Sequence, residues 1–409
     1  MKILYVCADL GVPVLGRKGA SVHVRAMADA FVRAGHETIL AAAVLNKSPW
    51  ESPATTAATL LPVPPGAATR EAVIAFKRLP ELLELKDSLP GEIRRVLYHD
   101  ELLAVLRQRF GSDPPDVVYE RASLYGTVGA QLASEVGVPL VLEVNSPIAV
   151  EQATYRGTGM LELAERAERY AVRHASVVAV VSENLRGHVE ALGADSSRVH
   201  VVPNGVDLHR FHPGPPTSVA RSPKEGPVLG FVGNLRPWHG VELLPEVLAR
   251  VASRHPTARL RIAGDGPLRE TVAARARELG VADRVELLGS VAHDRMPEVI
   301  RSFDIALAPY PQDDRHPFYF SPLKLFEYMA SGVPVVASDV GQVAEVLTDE
   351  SAGSLCPAGD PGAMADACLA LLEDPGAHAA KARRGPEIVA ARYTWDGNAR
   401  RILALVSGP

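Results

Sequence analysis

Cysteine is scarce in this chain of 409 residues. There are three, Cys7, Cys356 and Cys368. The odd number, with no CxxC pair and no metal-ligand spacing, argues against a disulfide framework and a cysteine-held metal; no metal site is expected. It fits a reducing compartment, so the expected location is cytoplasmic. No run of about 18 apolar residues occurs, so no spanning helix is expected and any membrane contact would be peripheral. The N-terminal MKILYVC carries one lysine and an apolar run too short for a signal core, and reads as a first strand. Neither sign of charge dominates. The net charge is −5 and the pI about 6.2, which argues against a general nucleic-acid binder. No GxGxxG is present, so a dinucleotide enzyme is poorly supported. GVPVLGRK (residues 11–18) approaches a P-loop but fails it, because Arg17 holds the lysine position and no hydroxyl follows. Asp313-Asp314 lies in a Pro-rich loop and makes no DxD at a strand end.

What is present is a soluble-type composition, 47% hydrophobic and 22% charged, in a chain long enough for two domains. Strand-length apolar runs alternate with helical patterns along almost all of it. Candidate strands are Ile3–Ala8, Thr38–Ala42, Val117–Glu120, Leu140–Val144, Val177–Val181 and Val199–Val202. A second set is Val228–Val232, Arg259–Ala263, Val285–Leu288, Ile305–Ala308 and Pro334–Ala337. Such alternation indicates βαβ units and parallel sheets, here twice over. The Pro-, Gly- and Ser-rich segment 212–227 has linker composition, giving domains 1–211 and 212–394. The expected fold is α/β, two doubly wound Rossmann-like domains with a ligand cleft at the strand C-termini. Residues 70–110 are helix-rich and carry Lys77, Arg78, Arg94 and Arg95. Interspersed acids make them a solvated face, with an acceptor- or membrane-facing lobe as the alternative.

The segment FYFSPLKLFEYMASGVPVV (residues 318–336) carries the most specific chemistry. Ser321 suits an N-cap and Pro322 the first helical position. The next amides, of Leu323 and Lys324, then lack intrahelical partners at the positive end of a helix, where an anion is favoured. Lys324 adds a formal cation. Glu327, three residues on, shares its face and can accept hydrogen bonds from hydroxyls. A nucleotide sugar offers both groups, phosphate and hydroxyl.

This segment resembles the donor-site signature of the family 4 retaining glycosyltransferases, which have the GT-B fold. The family usually carries two glutamates eight positions apart; Glu327 matches the second, and Tyr319 stands at the first. The resemblance implies an acceptor-side first domain and a donor domain second, facing across a cleft, with the C-terminal helix (395–409) returning to the first. VGNLRPWHG (residues 232–240) is similar to the family's phosphate loop. There Asn234 replaces the usual Arg and His239 the usual Lys, while Arg236 is expected to supply the missing cation. Gly233, Gly264 and Asp265 would border the donor with Tyr319, Ser321, Pro322 and Leu323. Trp238 is expected to pack. Arg236, His239 and Lys324 would stabilise the departing phosphates, with His239 protonated more readily than a free imidazole, and Glu327 would bind ribose hydroxyls.

In the first domain, the loop with Gly16, Arg17, Lys18, Gly19 and Ser21 resembles the glycine-rich loop over the cleft, and His23 follows in the first helical turn. YER (residues 119–121) and LEVNSP (residues 142–147) end strands with polar groups, making Glu120, Arg121 and Asn145 candidate acceptor contacts. The family commonly has His where Asn145 stands, and Asn cannot act as a base. Asn204-Gly205 reads as a turn.

The expected activity is transfer of a sugar from a nucleoside diphosphate to a hydroxyl of a glycan, lipid-linked or small natural-product acceptor. Stereochemistry would be retained, with no metal and no cofactor. The expected partners are the nucleotide-sugar donor and a hydroxyl acceptor. A sugar-nucleotide epimerase of similar fold and a non-catalytic sugar-nucleotide-binding protein are the alternatives. The base, the sugar, the acceptor and the oligomeric state are not fixed by the sequence.

Overall fold

The computed structural model describes residues 1–47, 53–84, 88–214, 226–311, 318–348 and 351–407. Most of the expected linker and the Asp313-Asp314 pair lie outside the described residues.

Short runs rich in Val, Ile and Leu, buried on both faces, form parallel strands. In the first unit these are β1 (Lys2–Cys7), β2 (Glu37–Ala42), β3 (Thr59–Pro62), β4 (Val117–Arg121), β5 (Leu140–Val144), β6 (Val177–Val180) and β7 (Val199–Val201). They pair in the order β3-β2-β1-β4-β5-β6-β7. The second unit holds β8 (Val228–Val232), β9 (Arg259–Ala263), β10 (Val285–Gly289), β11 (Ile305–Ala308), β12 (Val335–Ser338) and β13 (Gly353–Cys356), in the order β10-β9-β8-β11-β12-β13. Each sheet reverses its winding once, between β1 and β4 and between β8 and β11. Loops that leave the strand ends at these two places diverge and leave room for a ligand.

Two described strands lack a sequence signal of the expected kind. β3 is a four-residue edge strand with no fully buried position. β13 begins at Gly353, where an added Cβ would lie 2.6 Å from the Val335 carbonyl oxygen. Close backbone approach, not side-chain pattern, decides that pairing.

The chain divides into two compact units. One is Met1–Pro203 with the last helix, Trp395–Ser407; the other is Asn204–Thr394. The division falls ahead of the expected 211/212 boundary, because residues 204–211 pack into the second unit. Asn204 is hydrogen-bonded to Ser321, the Val206 amide donates to the Tyr393 carbonyl (2.9 Å), and Phe211 is buried in the same core as Phe326. Among the described residues no helix is long and apolar enough to cross a membrane.

The last helix lies against the first helix, Gly19–Arg33. Trp395 is 4% exposed and its ring stands 4.8 Å from that of His23. Asp396 takes two hydrogen bonds from Arg33, at 2.9 and 2.6 Å, and Asn398 donates to the Pro203 carbonyl. Burial should matter more than the exposed ion pair. Trp395→Ala is expected to cost about 3–5 kcal/mol, and Arg33→Ala less than about 1 kcal/mol. Urea unfolding of the two variants reads the difference, and equal losses would contradict this ranking.

Candidate functional site

The second unit gathers its polar groups where β8, β9 and β11 end. β8 runs into Gly233 and β9 into Gly264, with φ of +146° and +151°. A Cβ on Gly264 would lie 1.9 Å from the Gly233 carbonyl oxygen. Only glycine allows both this backbone sign and this approach. The loops are laced together: the Gly233 amide donates to the Ala263 carbonyl and the Leu235 amide to the Asp265 carbonyl, each at 3.0 Å.

Lys324 reaches over this junction. Its Nζ would lie 2.9 Å from a Cβ on Gly233, stands 4.2 Å from the Phe231 ring centroid and 5.5 Å from that of Tyr310. The residue is 9% exposed and Nζ has no hydrogen-bond partner among the described residues. A buried ammonium held only by two ring faces is under-compensated. Burial accordingly pushes it down to about 7, with the Glu327 carboxylate pulling the other way. Glu327 is partly buried. Burial raises its carboxyl to about 7 against the charges of Lys324 and Arg210.

Lys324 sits in the first turn of the signature helix, Leu323–Ala330. The cap differs from the expected one. Pro322 is the N-cap residue, and among the described residues no side chain caps the helix. Ser321 lies one position too early and is engaged elsewhere: its Oγ accepts from the Asn204 amide (2.9 Å) and its carbonyl from Asn204 Nδ2 (2.7 Å). Asn204, read as a turn residue, thus clasps the segment that enters the helix. With Oγ occupied, the amide end stays uncapped and open to an anion.

His239 closes the loop after β8. Its Nδ1 donates to the Asn234 carbonyl at 2.7 Å, and its ring lies 6.2 Å from those of Phe231 and Tyr310. Burial, and then the Lys324 charge, lower it to about 3. The expectation of a raised value is therefore corrected: in the unliganded site His239 is a neutral ring that shapes the loop. Arg236 and Asn234 are exposed; the Arg236 guanidinium lies 5.6 Å from the centroid of Trp238. Trp238 is 46% exposed and not a packing residue, another correction. Tyr319 is 8% exposed and packs on Phe320, with centroids 4.4 Å apart. Asp265 is exposed and accepts from the Gly266 amide at 2.8 Å.

In the first unit, the loop after β1 is pinned from below. Arg25 donates to the carbonyls of Val14 (2.5 Å) and Gly16 (2.6 Å). Arg17, Lys18 and Gly19 are exposed above it, while Ser21 is buried. Glu120 and Arg121, read as a pair, face opposite sides of the sheet because neighbours in a strand alternate. Glu120 is buried under the helix Val128–Val136, accepts the Gly129 amide at 3.0 Å, and burial pushes it up to about 7. It has no link to Arg121, His23 or Asn145, which instead converge on Glu143. Sequence reading passed over Glu143, although a lone acid inside the apolar run LVLEV was its signal.

Comparison with known proteins gives the relationship. Residues 17–210 match the family model "Glycosyltransferase Family 4" and residues 226–374 match "Glycosyl transferases group 1". The D-inositol 3-phosphate glycosyltransferase of Acidothermus cellulolyticus is 32% identical over 324 residues, covering 74% of this chain and 69% of that relative.

The chain belongs to glycosyltransferase family 4.

Its fold is that of the GT-B enzymes. The sucrose-phosphate synthase structure from Thermosynechococcus elongatus aligns with a TM-score of 0.73 at 20% identity, covering 98% of this chain and 96% of that one. The structure of Anabaena HepE in complex with UDP aligns over 100% of both chains, with a TM-score of 0.69 at 19% identity. In this family 4 glycosyltransferase, Gly233, Gly264, Asn234, His239, Lys324 and Glu327 share one locality on the second unit. Arg236 joins them through its backbone, its amide donating to the Asn234 carbonyl and its carbonyl accepting from the His239 amide, each at 3.0 Å, while its side chain lies beside Trp238.

Glycine at 264 is a strict requirement of that locality. Gly264→Ala combines a strained φ with a steric overlap and is expected to cost more than about 2 kcal/mol. Gly187→Ala, where an added Cβ meets nothing within 4 Å in the helix Glu183–Ala191, should stabilise by up to about 1 kcal/mol. Paired denaturant midpoints give both numbers.

Proposed function

We propose that this glycosyltransferase transfers a sugar, with retention, from a nucleoside diphosphate to an acceptor hydroxyl, without a metal. The observation that carries the reading is the orphaned Lys324 ammonium beside the uncapped start of Leu323–Ala330. A diphosphate oxygen would supply the missing partner and would meet the Leu323 and Lys324 amides as well.

The chemistry follows from that placement. The bond between the anomeric carbon and the donor phosphate oxygen breaks, leaving negative charge on the diphosphate. Lys324 and the helix amides stabilise that charge, and Arg236 reaches in from the loop after β8 to grip a phosphate oxygen. The acceptor oxygen bonds to the same face of the anomeric carbon, and its proton passes to the leaving phosphate. No protein base is required. His239 stays a neutral ring that shapes the loop after β8. Glu327 accepts hydrogen bonds from the nucleotide ribose. Gly233, Gly264 and Asp265 form the floor, and Tyr319 replaces the carboxylate that the family usually places near the transferred sugar. A UDP conjugate is the first donor to test, since one structural neighbour was solved with UDP. D-inositol 3-phosphate is the first acceptor to test, since one relative carries that name.

A thermal-shift screen of UDP, GDP, TDP and ADP with their sugar conjugates identifies the donor through stabilisation of the folded state. Product formation with radiolabelled donor then tests transfer, and binding without transfer to any acceptor would favour a non-catalytic binder. Glu327→Ala is expected to weaken diphosphate binding by about 1.5–3 kcal/mol with little loss of folding. Unchanged affinity by calorimetry would remove Glu327 from the ribose site.

Diphosphate binding should also take up protons. At pH 8 a Lys324 that titrates near 7 is mostly neutral, and a phosphate partner restores its charge. Glu327 is already mostly ionised at that pH and releases little. Net uptake approaching one proton per UDP is expected from calorimetry in two buffers of different ionisation enthalpy. Lys324→Met should abolish it. Zero uptake or net release in the unsubstituted protein would contradict the Lys324 role.

A further inference from the structure

The chain enters the signature helix through three consecutive aromatic residues, Phe318, Tyr319 and Phe320. Their rings join that of Tyr310 in one row. Centroids lie 4.8 Å apart from Tyr310 to Phe318, 5.4 Å from Phe318 to Phe320 and 4.4 Å from Phe320 to Tyr319. The first two contacts are edge-to-face, a favoured packing of aromatic rings. Tyr310 and Tyr319 are buried, whereas Phe318 and Phe320 are half-buried and keep part of their surface open. Phe318 is also held from its other side. An added Cβ on Gly341, where φ is +40°, would lie 2.7 Å from Phe318 Cδ1, so the start of the helix Gly341–Leu347 presses on that ring.

The row stands at a defined end of the diphosphate site. Tyr310 is one of the two ring faces against Lys324, with its centroid 5.5 Å from Nζ. On the transferase reading, the diphosphate meets the Leu323 and Lys324 amides, and Glu327 holds the ribose about one helical turn further on. A diphosphate joins the ribose to the transferred sugar. The sugar therefore lies on the opposite side of the helix start, against residues 318–322.

No residue from 318 to 322 carries a charge. The one aliphatic hydroxyl among them, on Ser321, accepts from the Asn204 amide at 2.9 Å. A carboxylate at position 319 would accept hydrogen bonds from two sugar hydroxyls. The Tyr319 phenol offers one neutral oxygen in place of two charged ones, and charge-assisted hydrogen bonds are roughly twice as strong. A sugar hydroxyl that leaves water to meet ring carbon weakens binding. A C–H or methyl group at the same place loses nothing and gains contact with the rings.

We propose that Phe318, Tyr319 and Phe320 select a deoxygenated donor, a nucleoside diphosphate whose sugar lacks at least one hydroxyl of an ordinary hexose. The sugar-side placement of these rings rests on the transferase reading.

Calorimetry tests this on the nucleoside diphosphate that the thermal screen selects, with its conjugates of glucose and of 2-, 3-, 4- and 6-deoxyglucose as probes. Apolar pockets reject an added hydroxyl by up to about a hundredfold, so at least one deoxy conjugate should bind about tenfold or more tightly than the glucose conjugate. Tyr319→Glu restores a charged acceptor and should bring that ratio below about three. If Tyr319→Glu fails to fold, Phe320→Ala at its half-buried position decides the case. It should cost the preferred deoxy conjugate about fivefold more affinity than it costs the free nucleotide. The proposal is overturned if no deoxy conjugate binds more than about threefold more tightly than the glucose conjugate. It is equally overturned by a deoxy preference that survives in folded Tyr319→Glu, or by equal losses of both ligands in Phe320→Ala. In each of these outcomes the nucleotide still binds and the transferase reading stands. If none of UDP, GDP, TDP and ADP binds, that reading falls and this proposal falls with it.

Discussion

A lysine amine with no hydrogen-bond partner among the described residues, buried against two aromatic rings, is the constraint around which the second unit is arranged. Burying Lys324 this way costs free energy, which the Glu327 carboxylate offsets only in part. Several local oddities follow from the need to seat it. Phe231 at the end of β8 and Tyr310 just beyond β11 give it ring faces. Gly233 must lack a Cβ because Nζ occupies that space. The signature helix starts without a side-chain cap, so its amide dipoles add to the lysine charge. A capped helix and a paired lysine would be more stable.

Backbone sign does the remaining work of convergence. Gly264 and Gly266 have φ of +151° and +159°, and Gly240 has +60° with its Cβ direction blocked by the Pro309 carbonyl. These positions let three loops from different strands touch through backbone atoms, which places His239 against Lys324 without any side-chain bridge. The imidazole is then neutral for the same reason that the ammonium is weak: both lie in one low-dielectric spot and share one sign when charged.

Much of this was legible in the sequence. The alternation of Val-rich runs with helical patterns gives eleven of the thirteen described strands, and SPLKLFE marks the start of the helix that carries Lys324 and Glu327. The misses have physical reasons. Ser321 has N-cap chemistry, but Asn204 lies more than a hundred positions away and no local pattern reveals that it takes the serine oxygen. His239 stands where the family has a lysine, which invites a cationic reading; its depressed proton affinity depends on burial beside Lys324, a tertiary fact. YER groups two charged residues that the pleat sends to opposite faces. Glu143 was passed over because an acid in an apolar strand signals only that donors must surround it, and those donors come from the first helix and from β4.

The two units handle buried charge in opposite ways. Lys324 has too few partners, so its charge state is free to respond to a ligand. Glu143 has as many as a carboxylate can take, so its charge state is fixed. A leaving diphosphate needs the first kind of group, because charge develops there during the reaction. Glu143 is a saturated carboxylate behind His23, Arg121 and Asn145, whereas Glu120 has one partner and a carboxyl near neutrality.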